Sequence, residues 1–345
     1  MARRLVCFFQ LILVVGFVSA CSEETVHIEP LAPAPIDVPS SPIERCINLS
    51  NALEAPQEGE WGYVVRAQDI IAISRAGFDT VRLPVKVSAY TGPAPDFQIS
   101  EDLLSRLDTL IRLALAAELN VVLDLHHFDE IYVDPERETP RLQAIWRQLG
   151  ARYAGAPDGL IFEILNEPRD ALTVERMDEL NREMLALIRE TNPQRWVILS
   201  SSEWGSLTAW LEADFPRELN VISTFHFYEP YDFTHQGASW LDEPPQYAGV
   251  WGDNPADIAE VRGYFALART KALTEGLPVL VGEFGANRAN SMPERAAWLE
   301  TVRAAAENAG FGWCHWGFAS EFGLYDLETE AWYPELLAAL GLPTN

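Results

Sequence analysis

Lysine is nearly missing from this chain: Lys86 and Lys271 are its two lysines, and the remaining cations are arginines. Positive charge is scarce altogether, 25 Lys and Arg against 51 Asp and Glu, for a formal net charge of -26. A surface of that sign repels phosphate backbones, which excludes nucleic acid as a natural partner. No Gly-x-Gly-x-x-Gly follows an apolar run and no phosphate loop appears, so the usual signatures of dinucleotide and nucleotide binding are missing. A serine nucleophile elbow, Gly-x-Ser-x-Gly, is also lacking. Cysteine is limited to Cys7, Cys21, Cys46 and Cys314, whose spacing suits no zinc site. The apolar run Leu5 to Val18 is too short and wrongly flanked for a membrane-spanning helix.

That run has another use. Arg3 and Arg4 precede it and Val18-Ser19-Ala20-Cys21 closes it, the layout of a secretory signal over residues 1–20. Small residues before a cysteine resemble the bacterial lipobox, so Cys21 is expected to carry lipid, and Ser22 rather than Asp after it implies outer-membrane retention. Loss of the leader removes two arginines and no acid, making the mature chain more acidic still. From Ser22 to about Pro42 the chain is rich in Pro, Ser and acids, a composition that cannot bury a core. The expected organisation is a signal over 1–20, a lipidated tether over 21–43 and a catalytic domain over 44–345. Membrane contact is expected through the lipid alone, and the domain is expected to be a monomer.

With 48% hydrophobic and 22% charged residues, the remainder is globular in composition. Short apolar runs alternate with amphipathic ones. Strands are expected at Arg45 to Leu49, Thr80 to Pro84, Asn120 to Leu125, Leu160 to Leu165, Trp196 to Ser200, Val221 to Phe225, Pro278 to Gly282 and Gly312 to His315. Between them lie helical patterns such as Glu101 to Glu118, whose Leu103, Leu104, Leu107, Leu110, Ile111 and Ala114 share one face. Alternation of this kind implies parallel strands with crossover helices, and eight of them imply closure into a (β/α)8 barrel. Cys46 and Cys314 fall on the first and last strands, with inward residues of adjacent strands in alternate layers; two free buried thiols are therefore expected.

Chemistry-bearing residues gather at the strand ends, where such barrels keep their active sites. Leu160 to Leu165 is followed by Asn166-Glu167-Pro168, and the proline is expected to hold Glu167 extended. The seventh strand leads to Glu283 between Gly282 and Gly285. Arg82 lies on the second strand, His126 and His127 end the third, His226 and Tyr228 the sixth, and Trp316 the eighth. Two carboxylates on separate strands suit glycoside cleavage, one protonating the leaving oxygen while the other attacks the anomeric carbon. Arg82 and Tyr228 are expected to keep Glu283 ionised, and Glu167 to keep its proton. Beneath them Glu163 or Asp124 is expected to pair with Arg82 and His126, because a buried ion without partners costs several kcal/mol. Neither a metal nor another cofactor is expected: adjacent histidines on a strand point to opposite faces, and a closed shell is hard to assemble from His27, His226, His235 and His315.

Together these segments resemble glycoside hydrolase family 5, the retaining endoglucanase group of clan A. The resemblance runs from about Cys46 to Leu340 through Asn48-Leu49-Ser50-Asn51-Ala52-Leu53-Glu54, Glu58-Gly59-Glu60-Trp61-Gly62, Val81-Arg82-Leu83-Pro84, Leu123-Asp124-Leu125-His126-His127, Asn166-Glu167-Pro168, His226-Phe227-Tyr228, Gly282-Glu283-Phe284-Gly285 and Trp316. It implies Glu167 as acid/base and Glu283 as nucleophile, supported by Arg82, His126, Asn166, His226 and Tyr228. It also implies Asn51, Glu54, His127 and Trp316 as substrate-binding residues, and a polysaccharide, β-1,4-glucan or mixed-linkage β-glucan, as substrate. Ser50 stands where a Gly is usual. Mannan, xyloglucan and exo-acting glucosidases share the fold and the catalytic pair, and Trp61, Trp204, Trp240 and Trp251 are candidates for stacking on sugars. A glycan-binding lipoprotein without activity would have no need of both carboxylates.

Overall fold

The computed structural model describes residues 37–344. The expected signal, Cys21, His27 and most of the expected tether lie outside them. Eight strands, β1 (Arg45–Asn48), β2 (Thr80–Val85), β3 (Asn120–Leu125), β4 (Leu160–Glu163), β5 (Val197–Leu199), β6 (Val221–His226), β7 (Val279–Phe284) and β8 (Gly312–His315), form a closed parallel barrel in chain order. β8 pairs back onto β1 through Arg45 with Trp313, Cys46 with Cys314 and Ile47 with His315. Covered on both faces, the strands are nearly all-buried runs rather than alternating ones; β2, β6 and β7 are buried at every position.

The crossover helices show their causes in sequence. Ser100 caps Glu101–Ala116 by accepting from the Leu103 amide, and the six expected apolar residues form its buried face. Met292–Ala309 starts with a Ser291/Glu294 capping box and Pro293, and ends at Gly310 with φ +82°. One small core cluster runs through Cys46, Val122, Ile161, Ile198, Ile222, Leu280 and Cys314, on seven of the eight strands. Val38 and Ile43, which composition assigns to the tether, are both buried.

Two local features depart from the regular pattern. Along β7, Val281 pairs with Phe225 but His226 pairs with Glu283, so one extra residue is inserted at Gly282. This bulge turns Glu283 to the same side as His226, three residues rather than two beyond the Leu280 side chain. A Cβ at Gly282 would stand 2.6 Å from Thr224 Oγ1 and 3.1 Å from His226 Nε2, so the backbone closes here only without a side chain.

The second departure corrects an expectation. Cys46 and Cys314 form a disulfide, S–S 2.10 Å, with Cα atoms 4.1 Å apart. Layering in a barrel orders heights along its axis; it does not separate residues in register across one ladder, and these two are direct partners.

Candidate active site

Arg82, fully buried on β2, organises the floor of the site. Its Nε and Nη2 donate to the two oxygens of Glu163 at 2.7 and 2.8 Å. Nη1 donates to Asn48 Oδ1 and to Glu283 Oε1, both at 2.8 Å. Nη2 also reaches Asn166 Oδ1 at 2.7 Å and Asp124 Oδ2 at 3.0 Å. Every guanidinium N–H is thereby occupied. Although burial opposes its charge, Asp124, Glu163 and Glu283 hold Arg82 firmly protonated.

A second chain of bonds fixes His126. Its Nδ1 lies 2.6 Å from Asp124 Oδ2, and its Nε2 is 3.3 Å from Asn166 Nδ2. The Asn166 amide, whose oxygen already accepts from Arg82, donates to Nε2 and leaves the imidazole proton on Nδ1 facing Asp124. Burial holds His126 neutral and pushes Asp124 up to about 7. The His126 ring stacks on Trp316 with centroids 5.4 Å apart. Because both histidines lie beyond the end of β3, the alternation expected of strand residues does not apply: the rings of His126 and His127 meet edge to face at 4.7 Å, and both line the cavity.

The two carboxylates sit above this floor. Glu167 is not extended, as the following proline implies, but has φ +43°. β4 ends at Glu163, and Glu167 lies in a bend beyond it rather than in the strand, which overrides the local proline preference. His226 Nδ1 is 2.9 Å from Glu167 Oε1 and 3.6 Å from Glu283 Oε2. Tyr228 donates its hydroxyl to Glu283 Oε2 at 3.0 Å. Burial pushes both carboxyls up to about 7. Of the two, Glu283 receives the guanidinium and phenol bonds that favour the anion, so the pair's remaining proton belongs on Glu167.

Carboxylate oxygens of Glu167 and Glu283 and a nitrogen of His226 all lie within 4.8 Å of one another. The trio has the donor types of a metal site, but His226 Nε2 is buried with no hydrogen-bond partner among the described residues. A metal-bound imidazole normally donates through its second nitrogen, so the set fits proton transfer better than coordination.

The pair opens into a cavity of about 780 Å³, lined also by Asn51, Glu54, Trp61, His127, Tyr228, Trp240 and Trp316. Arg82, Asn166 and His226 lie buried beneath it. Glu54 spends its carboxylate on the backbone amides of Asn51 and Ala52, and burial pushes it up to about 7. Of the candidate tryptophans, Trp61 and Trp240 reach the cavity, Trp204 is 56% exposed, and Trp251 is buried against Phe233. Sequence reasoning missed His235, Ser239, Arg288, Ser320 and Glu321 on the cavity wall. They follow β6, β7 and β8 in segments without periodicity, where no local signal marks them. Asn48 was legible only in retrospect, as a polar residue at the end of an apolar strand.

Comparison with known proteins agrees with this geometry. The family described as Cellulase (glycosyl hydrolase family 5) matches residues 46–321. Endoglucanase H of Acetivibrio thermocellus is 30% identical over 302 residues, covering 86% of this chain but 32% of that protein. The chain thus spans about a third of that relative. Among solved structures, a hyperthermophilic endo-β-1,4-glucanase in complex with substrate superposes with a TM-score of 0.84 at 37% identity, covering 87% of this chain and 97% of the other. Thermotoga maritima Cel5A, in complex with mannotriose, gives 0.84 at 36% identity over 87% and 97%.

Proposed function

Because the chain belongs to glycosyl hydrolase family 5, we propose that it cleaves internal β-1,4 bonds of glucan or mixed-linkage β-glucan by double displacement, retaining anomeric configuration. Glu283 attacks the anomeric carbon while Glu167 gives its proton to the leaving oxygen; the glycosidic C–O bond breaks and a glycosyl ester forms on Glu283. Glu167, now a carboxylate, takes a proton from water, which attacks the same carbon and frees Glu283. Arg82 and Tyr228 hold the nucleophile, and Trp316 offers an indole face beside the reacting sugar. The observation that carries this reading is that one carboxylate oxygen of Glu167 and one of Glu283 lie within 4.8 Å of each other. Inverting pairs stand about 6.5–9.5 Å apart to admit a water, whereas retaining pairs stand about 5–5.5 Å apart. Proton NMR of early products tests it: the β-anomer is expected first, and initial release of the α-anomer overturns it.

Mannan is the second substrate reading, favoured by the likeness to a barrel solved with mannotriose. Side-by-side assay on barley glucan, carboxymethylcellulose, mannan and xyloglucan decides between them.

We further propose export: a signal over 1–20, lipid on Cys21, a tether over 21–43 and outer-membrane retention. The Cys46–Cys314 disulfide supports an oxidising compartment. Labelled palmitate should enter the expressed protein and be lost in Cys21→Ser; equal labelling of both rejects the anchor.

A further inference from the structure

The bend that carries Glu167 is held from outside. A non-glycine residue at positive φ costs about 1–2 kcal/mol, and the proline that follows adds its own restriction, so the bend at Glu167 needs external support. Three successive carbonyl oxygens supply the attachment points. Tyr132 Oη lies 2.9 Å from Asn166 O and 3.1 Å from His126 O, placing its single proton where the tips of β3 and β4 meet. Arg169 Nη1 donates to Glu167 O at 3.3 Å, and the Trp204 amide donates to Pro168 O at 3.0 Å.

The supports are themselves built into other loops. Tyr132 is 1% exposed, sits in the short helix Asp129–Val133 and accepts the Ala171 amide on its own carbonyl at 2.9 Å. The Arg169 guanidinium carbon lies 3.9 Å from the centre of the Tyr132 ring and 6.0 Å from that of Trp204, bridging the two. Glu203, Trp204 and Gly205 all have positive φ, at 52°, 56° and 63°. Backbone strain in two consecutive non-glycine residues persists where surrounding structure over-determines it, and here it aims the Trp204 amide at the bend.

We propose that Tyr132, together with Arg169 and the backbone of Trp204, forms a clamp that sets the position of the Glu167 carboxyl, making Tyr132 and Arg169 positioning residues for proton transfer. The proposal rests on the acid/base role given to Glu167 above. It separates the two carboxylates: Glu283 is held by Arg82 and Tyr228 and by the bulge in β7, and the clamp touches none of these. Loosening the clamp therefore weakens protonation of the leaving group and spares nucleophilic attack.

Tyr132→Phe removes the hydroxyl and keeps the ring beneath Arg169; Arg169→Met removes the donor to Glu167 O. Values of kcat/KM, which report formation of the glycosyl ester, are compared on 2,4-dinitrophenyl β-cellobioside and on cellotetraose, with thermal unfolding followed in parallel. Both variants should lose about tenfold or more on cellotetraose, the scale of a misplaced catalytic group, and less than about threefold on the activated glycoside, giving a steeper dependence on leaving-group pKa. Azide should restore little, because the Glu167 side chain is still present. Equal loss on both substrates, or no loss on either, overturns the clamp. Glu167→Ala is the control: if it shows no leaving-group dependence and no azide rescue, the role of Glu167 fails rather than the clamp. If Tyr132→Phe does not fold, Arg169→Met alone decides.

Discussion

Arg82 Nη1 lies 2.8 Å from Glu283 Oε1, whereas the hydrogen-bond partner of the Glu167 carboxyl is the imidazole of His226, at 2.9 Å. Burial keeps that imidazole below its ordinary pKa and therefore neutral near pH 7. A permanent cation beside one carboxylate and a neutral ring beside the other divide an otherwise similar pair into base and acid.

That division predicts unequal mutants. Glu283→Gln should lose turnover on every substrate. Glu167→Ala should fall about 10²–10⁴-fold on unactivated glucan, the usual worth of general acid catalysis, and much less in kcat/KM on aryl glycosides with good leaving groups, with azide raising turnover of the latter. Steady-state kinetics across an aryl cellobioside series measure it. The same leaving-group slope in both mutants means the roles are misassigned.

A stability consequence follows from the same burial. Glu167 rises from an ordinary 4.5 to about 7 in the folded chain, so between those values the folded state binds more protons than the unfolded one. Its contribution is fully present below about pH 4.5 and is lost as pH rises through 7. Glu167→Gln should therefore unfold at higher temperature than the parent at pH 8, by about 1–3 kcal/mol of stability, and the gap should close by pH 4.5. Calorimetry at both pH values tests this; a gap that grows toward acid rejects it.

The bridge between β1 and β8 closes the barrel across 268 residues of chain. A disulfide typically contributes about 2–4 kcal/mol in measured cases. Intact protein should give no thiol titre at Cys46 and Cys314 under denaturant without reductant, and the double variant Cys46→Ala, Cys314→Ala should lower the urea midpoint. A full titre of two thiols would show that the pair is reduced.

Strand existence was legible because each run is apolar on both faces, and β3 and β8 coincide with their expected limits, Asn120–Leu125 and Gly312–His315. Tip geometry was not. Positive φ at Glu167, the inserted residue at Gly282 and the lateral pairing of Cys46 with Cys314 depend on contacts with segments far apart in sequence. Local propensity carries no information about such contacts. The pairing of Glu163 and Asp124 with Arg82 and His126 was reachable because Arg82, Asp124 and Glu163 all lie within strands and a buried ion needs partners, although His126 itself lies just beyond β3. Arg288 and Glu321, on aperiodic loops, had no such rule to reveal them.

Glu163 gives the last and most discriminating test of the buried floor. Its two oxygens take Arg82 Nε and Nη2 side by side, with Glu163 1% exposed and Arg82 fully buried. In Glu163→Gln one oxygen becomes an amide that must donate, and it then faces an N–H of Arg82 with no acceptor between them. The guanidinium keeps Asp124 at 3.0 Å and Glu283 at 2.8 Å, so it stays charged, but its fork is no longer anchored from below. Breaking one side of a buried pair costs about 3–5 kcal/mol, and the remaining partners place this case near the lower end. Turnover should fall as well, because the same guanidinium orients Glu283 and Asn166. Glu283→Gln leaves the Glu163 fork intact and removes a carboxylate whose charge burial disfavours, offsetting its lost bond to Arg82, so it should cost turnover without the loss of stability expected of Glu163→Gln. Urea midpoints set beside kcat/KM for the two variants separate these outcomes. If Glu163→Gln unfolds at the parent midpoint while losing activity, the pairing with Arg82 does not stabilise the barrel.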